Sequence, residues 1–176
     1  KAHRPTKSVF VAVRNAKKMT FLIVGFLLIC FTGIVLVGAP YVPSKRLHIE
    51  AGLDLLSLRK GQTLVELGAG DGRVITQAAK RGINCVGYEL NPILYLISLV
   101  YCYKYRKNIQ IKLRNYWLAD LSDADGVFVF LAGSYMKKLD KKMLGLKKPV
   151  KLVSVGFMVP GKKPVMTKSA VHLYKY

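Results

Sequence analysis

The sequence predicts an α/β fold, a doubly wound and mostly parallel sheet, preceded by a hydrophobic helix that spans a membrane. Three observations carry this. Residues 66–73 read Glu-Leu-Gly-Ala-Gly-Asp-Gly-Arg and join an apolar strand pattern (63–65) to a helical pattern (74–81) that closes at Gly82. Apolar strand runs and helical runs then alternate through 85–88, 92–106, 109–114, 126–131, 135–144 and 150–157, with a last strand at 170–176. Residues 19–39 hold no charged side chain over 21 positions, about 31 Å of helix and enough to cross a bilayer core.

The glycine loop narrows the chemistry. Gly68, Gly70 and Gly72 alternate, which permits a sharp turn and lets a ligand approach the backbone. Their spacing fits neither common phosphate cradle. A dinucleotide fingerprint wants glycine where Arg73 stands, and a Walker loop wants Gly-Lys-Ser/Thr where this chain has Gly-Arg-Val. Asp71 at the helix start can cap free N–H groups, and its charge opposes a phosphate. The loop therefore suits a nucleoside without phosphate. Glu66, at the strand end, can face an ammonium group. Glu89, closing the next apolar run, can accept from both hydroxyls of a ribose. Acid, alternating glycines and a second acid resemble the cofactor site of seven-stranded, Rossmann-like class I methyltransferases that use S-adenosyl-L-methionine.

In chain order, residues 1–18 form a basic tail with six Lys or Arg and no acid, 19–39 the membrane helix, and 40–176 the domain. A buried core helix and a cleaved signal peptide are the alternatives for 19–39, and its length disfavours both. Pro40-Tyr41-Val42-Pro43-Ser44 breaks the chain. Ser44 is the expected cap of an amphipathic helix carrying Leu47, Ala51, Leu55 and Leu58. Asn91 and Pro92 supply cap and first turn for a helix reaching Arg106. That helix is apolar and tyrosine-rich and reads as a core-and-interface helix, with a membrane-facing role the alternative. Residues 109–114 alternate as a half-exposed strand, and 126–131 form a central strand buried on both faces. Ser134 is the expected cap of a helix over 135–144, with Tyr135, Met136, Leu139, Met143 and Leu144 on its apolar face. The three cysteines (Cys30, Cys85, Cys102) and three histidines (His3, His48, His172) show no metal-ligand spacing, and no metal is expected.

The chain carries 29 Lys or Arg against 9 Asp or Glu, a net +20, yet 52% of its residues are apolar, which is not the balance of a disordered basic tail. Beyond the tail, 23 basic residues still face 9 acidic ones, a net +14. Such charge implies an anionic partner, either nucleic acid or an anionic lipid membrane. No Asn/Asp-Pro-Pro-aromatic element, the hallmark of base amino methylation, follows the 127–131 strand, which favours the membrane over nucleic acid.

A closer resemblance rests on Pro-Tyr-Val-Pro-Ser, on the glycine loop, on Gly87-Tyr88-Glu89-Leu90-Asn91-Pro92, on Asn-Tyr-Trp-Leu-Ala-Asp-Leu, and on Val-Phe-Val-Phe-Leu followed by Met136-Lys137-Lys138-Leu139. Over roughly residues 40–160 the chain is similar to the membrane-anchored lysine methyltransferases that modify the c-ring protein of ATP synthase and the adenine nucleotide translocase, and to their prokaryotic relatives. The resemblance implies that Glu66, Gly68, Gly70, Asp71, Gly72 and Glu89 hold the cofactor. Ala69, Leu90, Asn115 and Tyr116 complete the expected site. Where the family has Asp-Leu-Trp this chain has Asn115-Tyr116-Trp117, and Asn115 can accept from an adenine amino group without carrying charge. Trp117 and Tyr135 are candidates to line an apolar channel in which a substrate lysine loses its proton. Asp120 is a candidate base or a turn cap. The expected substrate is a membrane protein. The domain is expected to be anchored by a single pass and to face the cytoplasm, or the mitochondrial interior in a eukaryotic cell, where S-adenosyl-L-methionine is available. The six positive charges before the span favour the opposite side, a conflict that a helix held in one leaflet would remove. After residue 157 the chain reads as too short for the helix and full hairpin that finish the larger fold. A nucleic-acid methyltransferase and a non-catalytic membrane scaffold are the rival readings.

Overall fold

A computed structural model describes residues 14–26 and 42–176. They belong to two units, divided between Gly38 and Ala39. In the first, residues 14–26 are helical, and Met19, Phe21, Leu22, Ile23, Val24 and Phe26 are exposed. This covers the start of the expected span. Its remainder, 27–39, lies outside the described residues, as do Cys30, Pro40, Tyr41 and most of the basic tail. Among the described residues, no helix is long and apolar enough to cross a membrane.

The second unit runs α1 (Arg46–Leu56), β1 (Thr63–Leu67), α2 (Arg73–Lys80), β2 (Asn84–Glu89), α3 (Pro92–Cys102), β3 (Ile109–Leu113), β4 (Gly126–Val129), α4 (Gly133–Leu144), β5 (Lys151–Val155), β6 (Met166–Lys168) and β7 (Val171–Lys175), with 3-10 turns at Tyr103–Tyr105 and Tyr116–Leu118. The seven strands lie in the order β3-β2-β1-β4-β5-β7-β6. β1 to β5 pair in parallel, with Leu64 between Cys85 and Gly126, and β7 enters antiparallel between β5 and β6. The direction of winding reverses between β1 and β4, so the carboxyl ends of these strands open a crevice.

Strand alternation divides the core into two layers. Leu64, Phe128 and Val153 point to the face covered by α1, α2 and the end of α3, among Leu53, Ile75 and Cys102. Their neighbours Val65, Val127 and Leu152 point to the face covered by α4, among Met136, Leu139 and Met143. Cover on both sides explains why the central strands read as uninterrupted apolar runs. Cys85 and Cys102 are buried and free, and burial pushes both thiols up, so they act as small core residues.

Asn91 caps α3 as expected. Its Oδ1 accepts from the Ile93 and Leu94 N–H groups at 2.9 and 3.3 Å, with Pro92 in the first turn. Asn91→Ala is expected to cost about 1 kcal/mol, a fall in Tm of roughly 2–4 °C in a thermal melt.

Several expectations are corrected. Ser44 does not cap α1. The helix starts after Lys45 with no side-chain cap, while Ser44 is buried and its carbonyl accepts from Arg73 Nη1 at 3.3 Å. Ser134 lies inside α4, because the chain already turns at Ala132, where Leu131 must stay in the core. Leu144 leaves the apolar face of α4 and is exposed. β4 ends at Val129 rather than residue 131. The terminal hairpin is present, since β6 and β7 pair and complete the seven strands. Finally, α3 is not a core helix all round: Leu94, Ser98 and Cys102 form its buried stripe, and most of its large apolar side chains face outward.

Candidate active site

The loop from β1 to α2 is held by its neighbours rather than by its own side chains. Gly68 and Ala69 both donate their N–H groups to the Tyr88 carbonyl, at 2.9 and 2.8 Å. Gly70 donates to Glu89 Oε2 at 2.7 Å. The other Glu89 oxygen accepts from Leu90 and Asn91 at 2.8 and 2.7 Å. One buried carboxylate thus ties the glycine loop to the turn between β2 and α3. Gly68 has φ +93° with no atom within 4 Å of where a Cβ would stand, so its open side is free for close approach.

Glu66 lies beneath this loop, on β1. It is 5% exposed, accepts a hydrogen bond from the Ile75 backbone, and its Oε2 has no hydrogen-bond partner. Burial, and then the charges of Asp71 and Glu89, hold its carboxyl well above the usual range, against the opposing pull of Ile75 and Arg73. An unpartnered buried carboxyl oxygen is costly unless a ligand completes it, and a cation does so best. Asp71 sits just before the helix and accepts from the Arg73 backbone at 3.2 Å. The Arg73 guanidinium also grips it, with Nη2 donating to Oδ2 at 2.6 Å. Arg73 therefore counters the Asp71 charge, and the bias of the loop against phosphate rests on Glu66 instead.

The opposite wall is aromatic. Asn115 Oδ1 accepts from the Trp117 N–H at 2.9 Å, which starts the 3-10 turn at Tyr116–Leu118. Tyr116 is buried, and its hydroxyl has no partner. Burial pushes that hydroxyl up to about 12, with smaller contributions from Tyr135 and Glu89, so it lies within the field of both. The Trp117 ring sits 5.1 Å from Tyr116 and 5.9 Å from Tyr135. Lys138 Nζ stands 4.2 Å from the Trp117 ring centre. The structure thus gathers the predicted residues Glu66, Gly68 to Gly72, Glu89, Leu90, Asn115, Tyr116, Trp117 and Tyr135 at the carboxyl ends of β1 to β4. Asp120 stands apart. It is exposed, accepts from the Ser122 N–H at 2.9 Å, and bonds to Ser122 hold its carboxyl below the usual range, so it caps a turn and is not a base.

Three residues were missed by the sequence reading. Arg73 pairs with Asp71. Lys138 covers Trp117. Lys142 donates to the Trp117 and Ala119 carbonyls at 3.1 and 2.6 Å, and its burial lowers its affinity for a proton. The spacing of Lys138 and Lys142 by four placed them on one helix face, and that face had been read as solvated.

The crevice and strand order define a seven-stranded methyltransferase fold. The chain superposes on an RNA methyltransferase from Salinibacter ruber in complex with S-adenosyl-L-homocysteine with a TM-score of 0.70 and 24% identity, covering 77% of this chain and 92% of that one. It also superposes on a SAM-dependent O-methyltransferase from Thermotoga maritima with a TM-score of 0.55 and 17% identity, covering 69% and 48%. The family described as the ANTKMT methyltransferase domain matches residues 66–166, and the chain belongs to this family. It is 34% identical to the adenine nucleotide translocase lysine N-methyltransferase of Mus musculus, over 72% of this chain and 56% of that protein. It is 34% identical to the lysine N-methyltransferase of Homo sapiens that is named for the c-ring protein of ATP synthase, over 59% and 45%. It is 33% identical to the Caenorhabditis elegans enzyme of the same name, over 69% and 68%. The chain spans about half the length of the mouse and human relatives.

Proposed function

We propose that this chain transfers a methyl group from S-adenosyl-L-methionine to a lysine side chain of a membrane protein. The observation that carries the reading is Glu66: a buried carboxyl with an unpartnered oxygen, beneath a glycine loop open to a ligand and facing an aromatic wall. S-adenosyl-L-methionine supplies a methyl group on a positively charged sulfur, already activated for displacement. Glu66 would hold its ammonium, the Gly68–Gly72 backbone and Glu89 its ribose side, and Asn115 and Tyr116 its base.

A lysine acceptor must first lose a proton, which at pH 7 costs on the order of 4–5 kcal/mol. Trp117 and Tyr135 offer an apolar wall that disfavours its ammonium form, and the Lys138 charge beside them acts in the same direction. Lys138→Gln is expected to move the rising limb of the pH–rate profile to higher pH, because losing that cation lets the acceptor keep its proton. Lys138 is exposed, so the loss at pH 7 is about threefold.

The reading extends to anchoring through 19–39, with the domain on the side that holds the cofactor, the cytoplasm or the mitochondrial interior. The relatives named for proteins embedded in membranes and the uncharged stretch support it. A nucleic-acid substrate is favoured by the net +14 of the domain alone. Against it, β4 leads into Leu131-Ala132-Gly133-Ser134-Tyr135, without the element that flanks a methylated base amine.

The test is calorimetric titration of the detergent-solubilised full chain with S-adenosyl-L-methionine, followed by transfer of labelled methyl groups to membrane extracts. Micromolar binding and label on lysines are expected. A folded chain that binds no cofactor, or that labels RNA alone, would sink the proposal.

A further inference from the structure

The outer face of α3 is the least satisfied surface of the domain. The helix Pro92–Cys102 carries no charged side chain, yet only Leu94, Ser98 and Cys102 on it are buried. Leu96, Val100 and Tyr103 follow one another at helical spacing as an outward ridge, exposed by 60, 80 and 63%. Ile97, Leu99 and Tyr101 flank it and are also exposed. A helix that is apolar all round belongs in an apolar environment on every side, and the sheet accounts for only one.

Charge and chemistry indicate what covers the rest. The 30 residues from Leu90 to Ala119 contain five Lys or Arg and no acid. Three of these, Lys104, Arg106 and Lys107, follow the ridge at the end of the helix and are exposed. The Arg106 guanidinium lies 4.4 Å from the Tyr103 ring centre, and Lys104 Nζ 5.9 Å from that of Tyr105. Apolar side chains bordered by tyrosines and cations match the depth profile of a bilayer surface, with hydrocarbon below and anionic headgroups above. A second copy of this chain would instead bring two acid-free, positively charged surfaces together.

We propose that α3 docks on an anionic lipid surface, with Leu96, Val100 and Tyr103 below the headgroups and Lys104, Arg106 and Lys107 among them. This contact belongs to the domain itself and is separate from any tether at 19–39. It would fix the orientation of the crevice, since α3 begins directly after Glu89 and Asn91. The inference does not depend on the proposed reaction, and its test uses neither cofactor nor methyl transfer.

The test uses the full chain with Cys30→Ser, so that the remaining cysteines are buried, and a nitroxide attached at Val100→Cys. A second nitroxide, at Lys141→Cys on the exposed face of α4, serves as reference. Collision rates with oxygen and with a water-soluble nickel chelate are measured with vesicles of phosphatidylcholine containing phosphatidylglycerol. Val100 is expected to gain oxygen and lose nickel collisions while Lys141 stays aqueous. Replacing Lys104, Arg106 and Lys107 by Gln is expected to shift the docking equilibrium by roughly fivefold for each cation. An aqueous Val100 on vesicle-bound protein would overturn the proposal. So would a Val100 shielded from both reagents without vesicles, which would show a second copy, or residues 19–39, covering the face. Docking that is unchanged by the triple replacement would also overturn it.

Discussion

Glu66→Gln is expected to weaken S-adenosyl-L-methionine binding by about 100-fold, the usual scale for removing one partner of a buried charge pair. The substitution keeps shape and removes only the charge. In the ligand-free protein the buried carboxyl holds its proton above the usual range. An ammonium group against Oε2 reverses that preference, so binding releases the proton and tightens as pH rises. Calorimetry in two buffers of different ionisation heat separates the cases. Wild type should show a buffer-dependent heat near neutral pH, and the Gln variant should not. Equal affinity and equal heats in the two proteins would remove Glu66 from the site. The same group sets a pH trend in stability. Its folded-state value is raised, so its contribution is fully present below the ordinary value of 4.5 and is lost as pH rises through the folded value. Thermal melts of ligand-free wild type should therefore decline above pH 4.5 more steeply than those of Glu66→Gln.

Gly72→Ala is expected to destabilise the fold by about 3–4 kcal/mol, combining the cost of a left-handed backbone with that of overpacking. Gly72 has φ +83°, and a Cβ there would lie 2.6 Å from Cys102 Sγ and 3.2 Å from Ser98 Cβ. Neither can move easily, because both belong to the buried stripe of α3 and Cys102 also contacts Thr76 Oγ1 at 3.2 Å. The fall in Tm is roughly 10 °C. Gly68→Ala makes the informative contrast. Its added methyl meets no protein atom, so it carries the backbone cost alone, yet it fills the side open to a ligand. Gly68→Ala should melt closer to wild type than Gly72→Ala and bind cofactor poorly. Identical melts for the two variants would show that the Cys102 contact relaxes.

The central layers were legible in the sequence because their physics is local. β1, the glycine loop and α2 announce themselves through an apolar run, alternating glycines and a closing Gly82. The Asn91–Pro92 helix start needs only two neighbouring side chains. Other features depend on contacts distant in sequence. β6 is three exposed residues, too short to show a period, and exists because β7 offers it an edge. The exposed face of α3 could not be read, since an uncharged helix gives the same pattern whether a protein or another apolar medium surrounds it. Within the crevice, the acids and glycines were legible as types. The Arg73 pairing with Asp71, and the lysines that hold or cover Trp117, emerge only once α4 packs beside the Tyr116–Leu118 turn.

Glu89 accepts three backbone N–H groups, from Gly70, Leu90 and Asn91, before any ligand arrives. Two chain segments that elsewhere would fluctuate independently are thereby joined into one rigid body. The conformational entropy of the cradle is lost when the chain folds, not when the nucleoside enters. Association should accordingly show a single kinetic phase, with a rate proportional to ligand concentration and no plateau from a slow closing step. Shortening the side chain, as in Glu89→Asp, would transfer that ordering to the binding event and appear as a slower on-rate with a less favourable entropy.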